Sequence, residues 1–363
     1  MAYKKDKLPF RLGNNETISF MNDYCKILLN VVRRGTGKSS PLFGKKIVVD
    51  AGNGAGGFFV KKVLQQLGAV TDGSINLKPD GMFPAHAPNP EDPDAISALR
   101  NAVLNNRADL GVIFDTDVDR AALVDSSGKL LNRDTLIALV AATVLKERPA
   151  TIVTDSVTSE GLAEFITSHG GKHVRYKRGY KNVIDEARRR NARGEYCPVA
   201  IETSGHAAFK ENYFLDDGAY LVCKLLVTFA NQSAKNETLY DLISDLHVPI
   251  EEKELRIGFN ENSKNFKIEG ARVIDELSYF AKVNTTAKLA PDNYEGVRIS
   301  YPAGEGDGWS MTRMSVHDPV IVINFASRVL GGNRIMAKKL YYMLDKYPFL
   351  NIDNLTDFII EEY

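Results

Sequence analysis

Net charge is the first thing this sequence lacks. Its 46 Lys and Arg are matched by 46 Asp and Glu, so the formal charge over 363 residues is zero. A protein that finds nucleic acid or another polyanion through a global basic field needs an excess of cations, and that class is ruled out. Cysteine is also scarce. Cys25, Cys197 and Cys223 are odd in number, widely spaced and form no C-x-x-C, which argues against a disulfide framework or a zinc site and for a reduced, intracellular setting. No long apolar run occurs: Leu136 to Leu145 is broken by Thr143 and falls far short of the roughly 20 residues that span a bilayer. Behind Met1-Ala2-Tyr3-Lys4-Lys5-Asp6 no apolar stretch follows, so no secretory signal is read there.

What is present is average in bulk and specific in detail. With 44% hydrophobic and 25% charged residues the chain is globular, not disordered. At roughly 100–200 residues per domain its length predicts two to three domains. Apolar residues at Phe20, Tyr24, Ile27, Leu28, Val31 and Val32 mark one face of a helix, closed by Arg33-Arg34-Gly35 and followed by a Gly/Ser/Pro linker. A lone helix cannot bury such a stripe and needs a partner. From residue 41 to 150 short apolar strands alternate with helical stripes, and 151 to 250 repeats that layout, so two tandem α/β units with parallel sheets are expected. After about 251 the pattern changes to antiparallel strands with two helices, at about 264–280 and 332–345, as in a smaller α+β domain. The expected division is 1–40 for the first helix and linker, then 41–150, 151–255 and 256–363.

Several segments carry chemistry. Asp115-Thr116-Asp117-Val118-Asp119-Arg120 directly follows the buried strand Leu110 to Phe114. Three carboxylates at i, i+2 and i+4 repel one another unless a hard cation lies among them, and so few ligands suit Mg²⁺ that keeps waters. Arg120 suits an adjacent phosphate. An EF-hand needs Gly at the sixth position and Glu at the twelfth, where Arg120 and Ser126 stand instead. A dehalogenase-type phosphatase opens with D-x-D-x-[TV], but here the fifth residue is Asp119. Gly52-Asn53-Gly54-Ala55-Gly56-Gly57 matches the dinucleotide fingerprint G-x-G-x-x-G, with Asp72 downstream. Any tight strand-to-helix turn favours glycine, so packing is the preferred reading.

Four further segments complete the set. His86-Ala87-Pro88-Asn89-Pro90 either presents His86 and Asn89 to a ligand or is an ordered connection. Glu202-Thr203-Ser204-Gly205-His206 follows another strand and offers a carboxylate, a hydroxyl and an imidazole to a hydroxyl-rich ligand. Arg178-Gly179-Tyr180-Lys181 contacts an anion or is a surface turn. Arg313-Met314-Ser315-Val316-His317-Asp318-Pro319 is either a phosphate site or an ordinary hairpin turn, with a Gly-rich loop, Gly304 to Gly308, before it.

As an ordered set from about Thr17 onward, these motifs resemble the α-D-phosphohexomutase family, the phosphoglucomutases and phosphomannomutases. The resemblance implies an isomerase that moves a phosphoryl group between positions 1 and 6 of a hexose phosphate, through a phosphoserine and a hexose 1,6-bisphosphate that serves as intermediate and activator. It implies Mg²⁺ on Asp115, Asp117 and Asp119, and sugar hydroxyls on Glu202 and Ser204. His206 and Arg120 would serve the chemistry, Gly179 and Lys181 would contact substrate, and Arg313 and Ser315 would anchor the distal phosphate. The implied partner is a small sugar phosphate, with no nucleic acid and no membrane, in the cytoplasm or a plastid.

Two departures stand out. The family's phosphate loop usually reads R-x-S-x-T-E-P-x-x-R. Here His317, Asp318 and Val322 replace Thr, Glu and the second Arg, a version that resembles a divergent branch of plants and algae. The family also carries its nucleophilic serine in a T-A-S-H-N-P-type loop of a first domain, and no such segment occurs among the 363 residues. The expectation is a chain lacking most of that first domain, with residues 17–33 as its last helix and with no mutase activity alone; the alternative is a non-catalytic phosphosugar-binding or regulatory protein built on the same remnant.

Overall fold

The computed structural model describes residues 19–291, 293–315 and 318–360. It opens with helix α1 (Met21–Thr36), which has Asp23 in its first turn, Arg33 and Arg34 in its last, and a left-handed Gly37 as stop. The first α/β unit follows: β1 (Ile47–Asp50), α2 (Pro93–Asn106), β2 (Leu110–Phe114), β3 (Ala121–Asp125), β4 (Leu130–Leu131) and α3 (Arg133–Leu145). The second has β5 (Thr151–Thr154), α4 (Glu160–Ser168), β6 (Lys172–Arg175), α5 (Tyr180–Ala192), β7 (Val199–Ile201), β8 (Ala207–Phe209) and α6 (Gly218–Ser233).

The sheets correct one expectation. Their orders are β1-β2-β3-β4 and β6-β5-β7-β8, and only part of each is parallel: β1 with β2, and β5 with both β6 and β7. The pairs β2–β3, β3–β4 and β7–β8 are antiparallel. The physical cause is chain length. A parallel neighbour requires a crossover of a dozen residues or more, whereas the chain leaves β2 and β7 through short turns, residues 115–120 and 202–206, and can only fold back beside itself. The two turns that carry the candidate chemistry thus occupy equivalent positions in the two units.

The stripe of α1 also finds its partner inside the chain. Cys25, Leu28 and Val32 are buried in one core with Val63, Leu64, Leu221 and Leu225. The Tyr24 hydroxyl donates to Asp217 at 2.7 Å, just ahead of α6. Helix α3 is apolar all round, with Leu136 to Ala141 buried, and sits in that same core, which joins both α/β units.

The third unit contains β9 (Glu251–Phe259), α7 (Phe266–Val283), β10 (Lys288–Leu289), β11 (Val297–Tyr301), β12 (Gly308–Met314), β13 (Val320–Ser327), α8 (Gly332–Leu344), β14 (Leu350–Asn351) and α9 (Asp353–Ile360). Its sheet is antiparallel throughout, in the order β10-β11-β12-β13-β9-β14. Ile257, Ile299, Ile323 and Phe325 face the helices, against Val273, Met336 and Leu340. Strand alternation turns Glu254, Arg256, Arg298, Trp309, Arg313, Val322 and Asn324 to the other face. That face docks on the second unit. The Arg298 guanidinium is fully buried, stacks 3.8 Å from the Trp309 ring, lies 3.0 Å from Glu160 and donates to the Ser156 carbonyl at 2.9 Å.

Candidate functional site

Asp115 ends β2 and organises the turn behind it. Its Oδ1 accepts the backbone N–H groups of Val118 and Arg120, each at 3.1 Å, and its Oδ2 accepts Arg120 Nε at 3.1 Å. The wrap forces Val118 to φ 74°, a left-handed conformation that a β-branched side chain rarely adopts. The glycine-rich turn supports this loop from below. The Ala55 N–H donates to the Thr116 carbonyl at 2.8 Å, and a Cβ on Gly54 would stand 2.6 Å from that oxygen. Close backbone approach therefore accounts for this glycine, and the dinucleotide fingerprint is not needed to explain it.

Asp115, Asp117 and Asp119 place carboxylate oxygens within 4.8 Å of one another. Burial and the adjacent Asp115 carboxylate push Asp119 up to about 7, and its Oδ1 is buried with no hydrogen-bond partner. An all-oxygen donor set of this kind, with an orphaned oxygen inside it, fits Mg²⁺. Asp115, held by three donors, is poorly placed to act as the free nucleophile that a dehalogenase-type phosphatase requires.

The 202–206 turn is held as firmly. The Glu202 N–H donates to the His206 carbonyl at 2.9 Å, and the Gly205 N–H donates to the Glu202 carbonyl at 3.1 Å. Thr203 Oγ1 donates to Asp155 at 2.6 Å. The Glu202 carboxylate is buried, accepts the Gly179 N–H at 2.6 Å, and is pushed up to about 7 by burial and by Asp155. Ser204 Oγ is buried and has no partner.

The two turns meet. Arg120 and His206 form an antiparallel bridge, and the Gly218 N–H donates to the Val118 carbonyl at 2.9 Å. Gly205, at φ 96°, allows this contact, because a Cβ there would stand 2.6 Å from the Ala121 carbonyl oxygen. The bridge carries His206 to the acidic loop, with Nδ1 3.7 Å from Asp119. Nδ1 also lies 2.8 Å from Asp216, off the line of a good hydrogen bond, and the Tyr180 ring stacks on the imidazole at 5.2 Å. Burial opposes the charged imidazole, but Asp216, Asp119 and Glu202 outweigh it and raise its pKa. Motif reading missed Asp216, and it gave Tyr180, inside the Arg178–Lys181 segment, no role at the imidazole. The Asp216-Asp217-Gly218 run before α6 was the available signal for the first.

Other expected residues are placed differently. Arg120 is committed to Asp115 and to Asn89, whose Oδ1 accepts Nη1 at 3.2 Å. His86 is tied between Asp50 at 2.9 Å and the Ala87 carbonyl at 2.8 Å, so it acts as an ordered connection and is not presented to solvent. Lys181 is exposed and pairs with Asp185 at 2.5 Å along α5, next to Gly179 and Tyr180, which touch the 202–206 turn. Arg313 and Ser315 sit at the end of β12 in the third unit, separate from the acidic loop in the fold. Arg313 Nε is buried with no partner, and Ser315 Oγ accepts the Asp318 N–H at 3.3 Å. Val322 is buried directly across from Arg313. His317 lies outside the described residues.

The three units converge on a cleft of about 340 Å³ lined by Glu91, Arg178, Glu254, Trp309 and Asn324. Its lining is polar and charged, with the Glu91 and Glu254 carboxylates beside the Arg178 guanidinium.

Known proteins resemble this chain in sequence and fold. The family description "Phosphoglucomutase/phosphomannomutase, alpha/beta/alpha domain II" matches residues 22–128, and that of domain III matches 132–247. A phosphoglucomutase of Neisseria meningitidis serogroup A is 33% identical over 308 residues, covering 84% of this chain and 62% of its own length. A phosphomannomutase/phosphoglucomutase of Pseudomonas aeruginosa is 30% identical over 325 residues, covering 89% and 64%. The crystal structure of a phosphoglucomutase/phosphomannomutase family protein from Burkholderia thailandensis superposes with a TM-score of 0.71 at 26% identity, over 88% of this chain and 64% of that one. The chain thus spans less than two thirds of the length of these relatives. Its consecutive matches to two domains of one family, α1 included in the first, are what its shared core of α1, α3 and α6 leads one to expect, and the chain belongs to the phosphoglucomutase/phosphomannomutase family.

Proposed function

We propose that this chain holds the metal, sugar and phosphate sites for phosphoryl transfer between positions 1 and 6 of a hexose phosphate, and that it depends on a phosphoserine from outside its 363 residues. The observation that carries the reading is the bridge between Arg120 and His206, which unites the acidic loop and the hydroxyl-reading loop at the same ends of two equivalent sheets.

In this reading Asp115, Asp117 and Asp119 hold Mg²⁺. When bound, the ion supplies positive charge to phosphoryl oxygens as negative charge shifts between them. Glu202 and the unpartnered Ser204 hydroxyl hold sugar hydroxyls, with Gly179 fixing the Glu202 carboxylate. His206, with Asp216 against Nδ1 and Tyr180 over its face, keeps Nε2 for the proton of the reacting hydroxyl. Arg120 orients Asp115, and Arg313 with Ser315 receives the distal phosphate. A hexose 1,6-bisphosphate is the species that exchanges its two ends at the site.

The purified chain, given Mg²⁺ and glucose 1,6-bisphosphate, should bind glucose 6-phosphate saturably in calorimetry. It should not interconvert glucose 1-phosphate and glucose 6-phosphate. Turnover would overturn the dependence on an outside serine. Absence of any sugar-phosphate binding would overturn the site assignment.

A further inference from the structure

Two guanidinium groups lie along the seam between the second and third units, neither in a direct ion pair among the described residues. Arg313 Nε is buried and unpartnered, and the side chain makes no hydrogen bond or ion pair among the described residues. Arg178 lines the central cleft beside Glu254, Asn324 and Trp309, and its side chain is likewise without hydrogen bond or ion pair among the described residues.

The backbone brings them together. Tyr176 and Tyr294 pack with ring centroids 4.8 Å apart, which pins the loop leading to Arg178 against the segment before β11. Two residues beyond Tyr294, Gly296 passes so close under Arg313 that a Cβ would stand 2.8 Å from the Arg313 Cα. The nearby acids are engaged elsewhere. Glu295 accepts the Ser156 hydroxyl, and Glu202 accepts the Gly179 N–H. Glu254 accepts Arg256 and Asn324, and Arg256 also reaches Asp318. Burial lowers the Arg313 pKa and the Arg178 charge lowers it further, against Glu295. Two neighbouring cations left without a direct ion pair along a partly buried seam are costly unless an anion sits between them.

We propose that Arg178 and Arg313 form a two-sided clamp for the phosphate of a phosphorylated sugar, with Arg178 supplying, from the second unit, the guanidinium that β13 lacks at Val322. The sugar part of this inference rests on the function proposed above; the anion part does not. Val322 is buried on the same sheet face, between Arg313 and Arg256, so that strand offers no charge to a ligand. The clamp also makes the phosphate a bridge between two units, so its binding would draw their facing surfaces together.

The test is calorimetric titration of the whole chain with inorganic phosphate and, separately, with glucose 6-phosphate. Wild type is compared with Arg178→Gln, Arg178→Lys, Arg313→Gln and the Arg178→Gln/Arg313→Gln double variant. Loss of one charge-assisted pair weakens binding roughly 10- to 100-fold. Arg178→Gln should lose that much for both ligands, Arg178→Lys should recover part of it, and the double variant should lose less than the product of the single losses. Wild-type affinity in Arg178→Gln would overturn the clamp and leave the sugar-phosphate reading standing. Phosphate binding that depends on Arg178, with no gain from the sugar, would uphold the clamp and overturn the sugar-phosphate reading. No binding of either ligand by wild type at millimolar concentration would overturn the clamp itself.

Discussion

The seam between the second and third units can be weighed through Glu160. This carboxylate serves two buried cations, with Oε1 3.0 Å from Arg298 and Oε2 3.1 Å from Arg175. Glu160→Gln keeps the shape and one acceptor oxygen but removes the charge that compensates both. Breaking a buried pair costs about 3–5 kcal/mol because a charge is left unpaired in low dielectric. The Glu160 side chain is 32% exposed, so water recovers part of that. The expected loss is then about 2–3 kcal/mol, after allowance for screening. In a unit of about 110 residues each kcal/mol moves the midpoint by about 4 °C or slightly more, which predicts a fall of roughly 8–12 °C.

The assay is built in, since Trp309 is the only tryptophan and lies under Arg298. Its emission should follow a urea or thermal melt of this seam. Arg298→Met, which removes the buried charge and leaves Glu160 with Arg175, should cost less than Glu160→Gln. The pH dependence has a definite sign. Burial works against the Glu160 carboxylate, but Arg175 and Arg298 outweigh it and hold its pKa below 4.5. A depressed carboxylate contributes stability that is present above its unfolded pKa and is lost as pH falls through the folded value. Wild type should therefore lose stability below about pH 4.5 through this group, and Glu160→Gln should lack that component. A midpoint for Glu160→Gln within about 0.5 kcal/mol of wild type, the usual scale of a surface change, would refute the reasoning.

Other expectations follow from the same packing. Leu28→Ala, at a fully buried position of α1, should cost about 2–5 kcal/mol in denaturant unfolding if that helix is integral to the core, and near zero if it is not. Gly205→Ala strains a left-handed position and drives a methyl into the Ala121 carbonyl, so it should lower the thermal midpoint by an amount worth about 2 kcal/mol or more and separate His206 from the acidic loop. Asp119→Asn should weaken Mg²⁺ binding by calorimetry at least about tenfold, since it removes one of three anionic oxygen donors. Unchanged Mg²⁺ affinity would remove the acidic loop as the metal site.

Much of the fold is legible along the chain. The buried strands Ile47–Asp50 and Leu110–Phe114, the stripe of α1 and the change to an antiparallel third unit all follow from local periodicity. Strands β3 and β8 escape it because Ala121-Ala122 and Ala207-Ala208 carry little strand preference, and pairing with β2 and β7 decides their state. The antiparallel turn-back after β2 and β7 was missed for the same reason. At the candidate site, Asp115, Asp117 and Asp119 stand out because like charges crowded together need an explanation. Asp216 and Tyr180 do not, because neither the acidic run before α6 nor the Arg178–Lys181 segment says which residue it will meet; each reaches His206 only through the packing of another element.

By itself, then, the sequence determined the balanced charge, the two α/β units, the antiparallel third unit, the acidic loop and the Glu202–His206 loop. All of these depend on neighbours a few residues apart. Tertiary structure alone decided that α1 has a partner in the core around α6, that Gly54 and Gly205 let two loops touch, that Arg120 and His86 are held by internal carboxylates, that Arg178 lines the cleft between the units, and that Arg313 Nε is buried without a partner. Those outcomes depend on which surfaces are desolvated against each other. Residues far apart in the chain acquire their free energies only when burial removes the water between them.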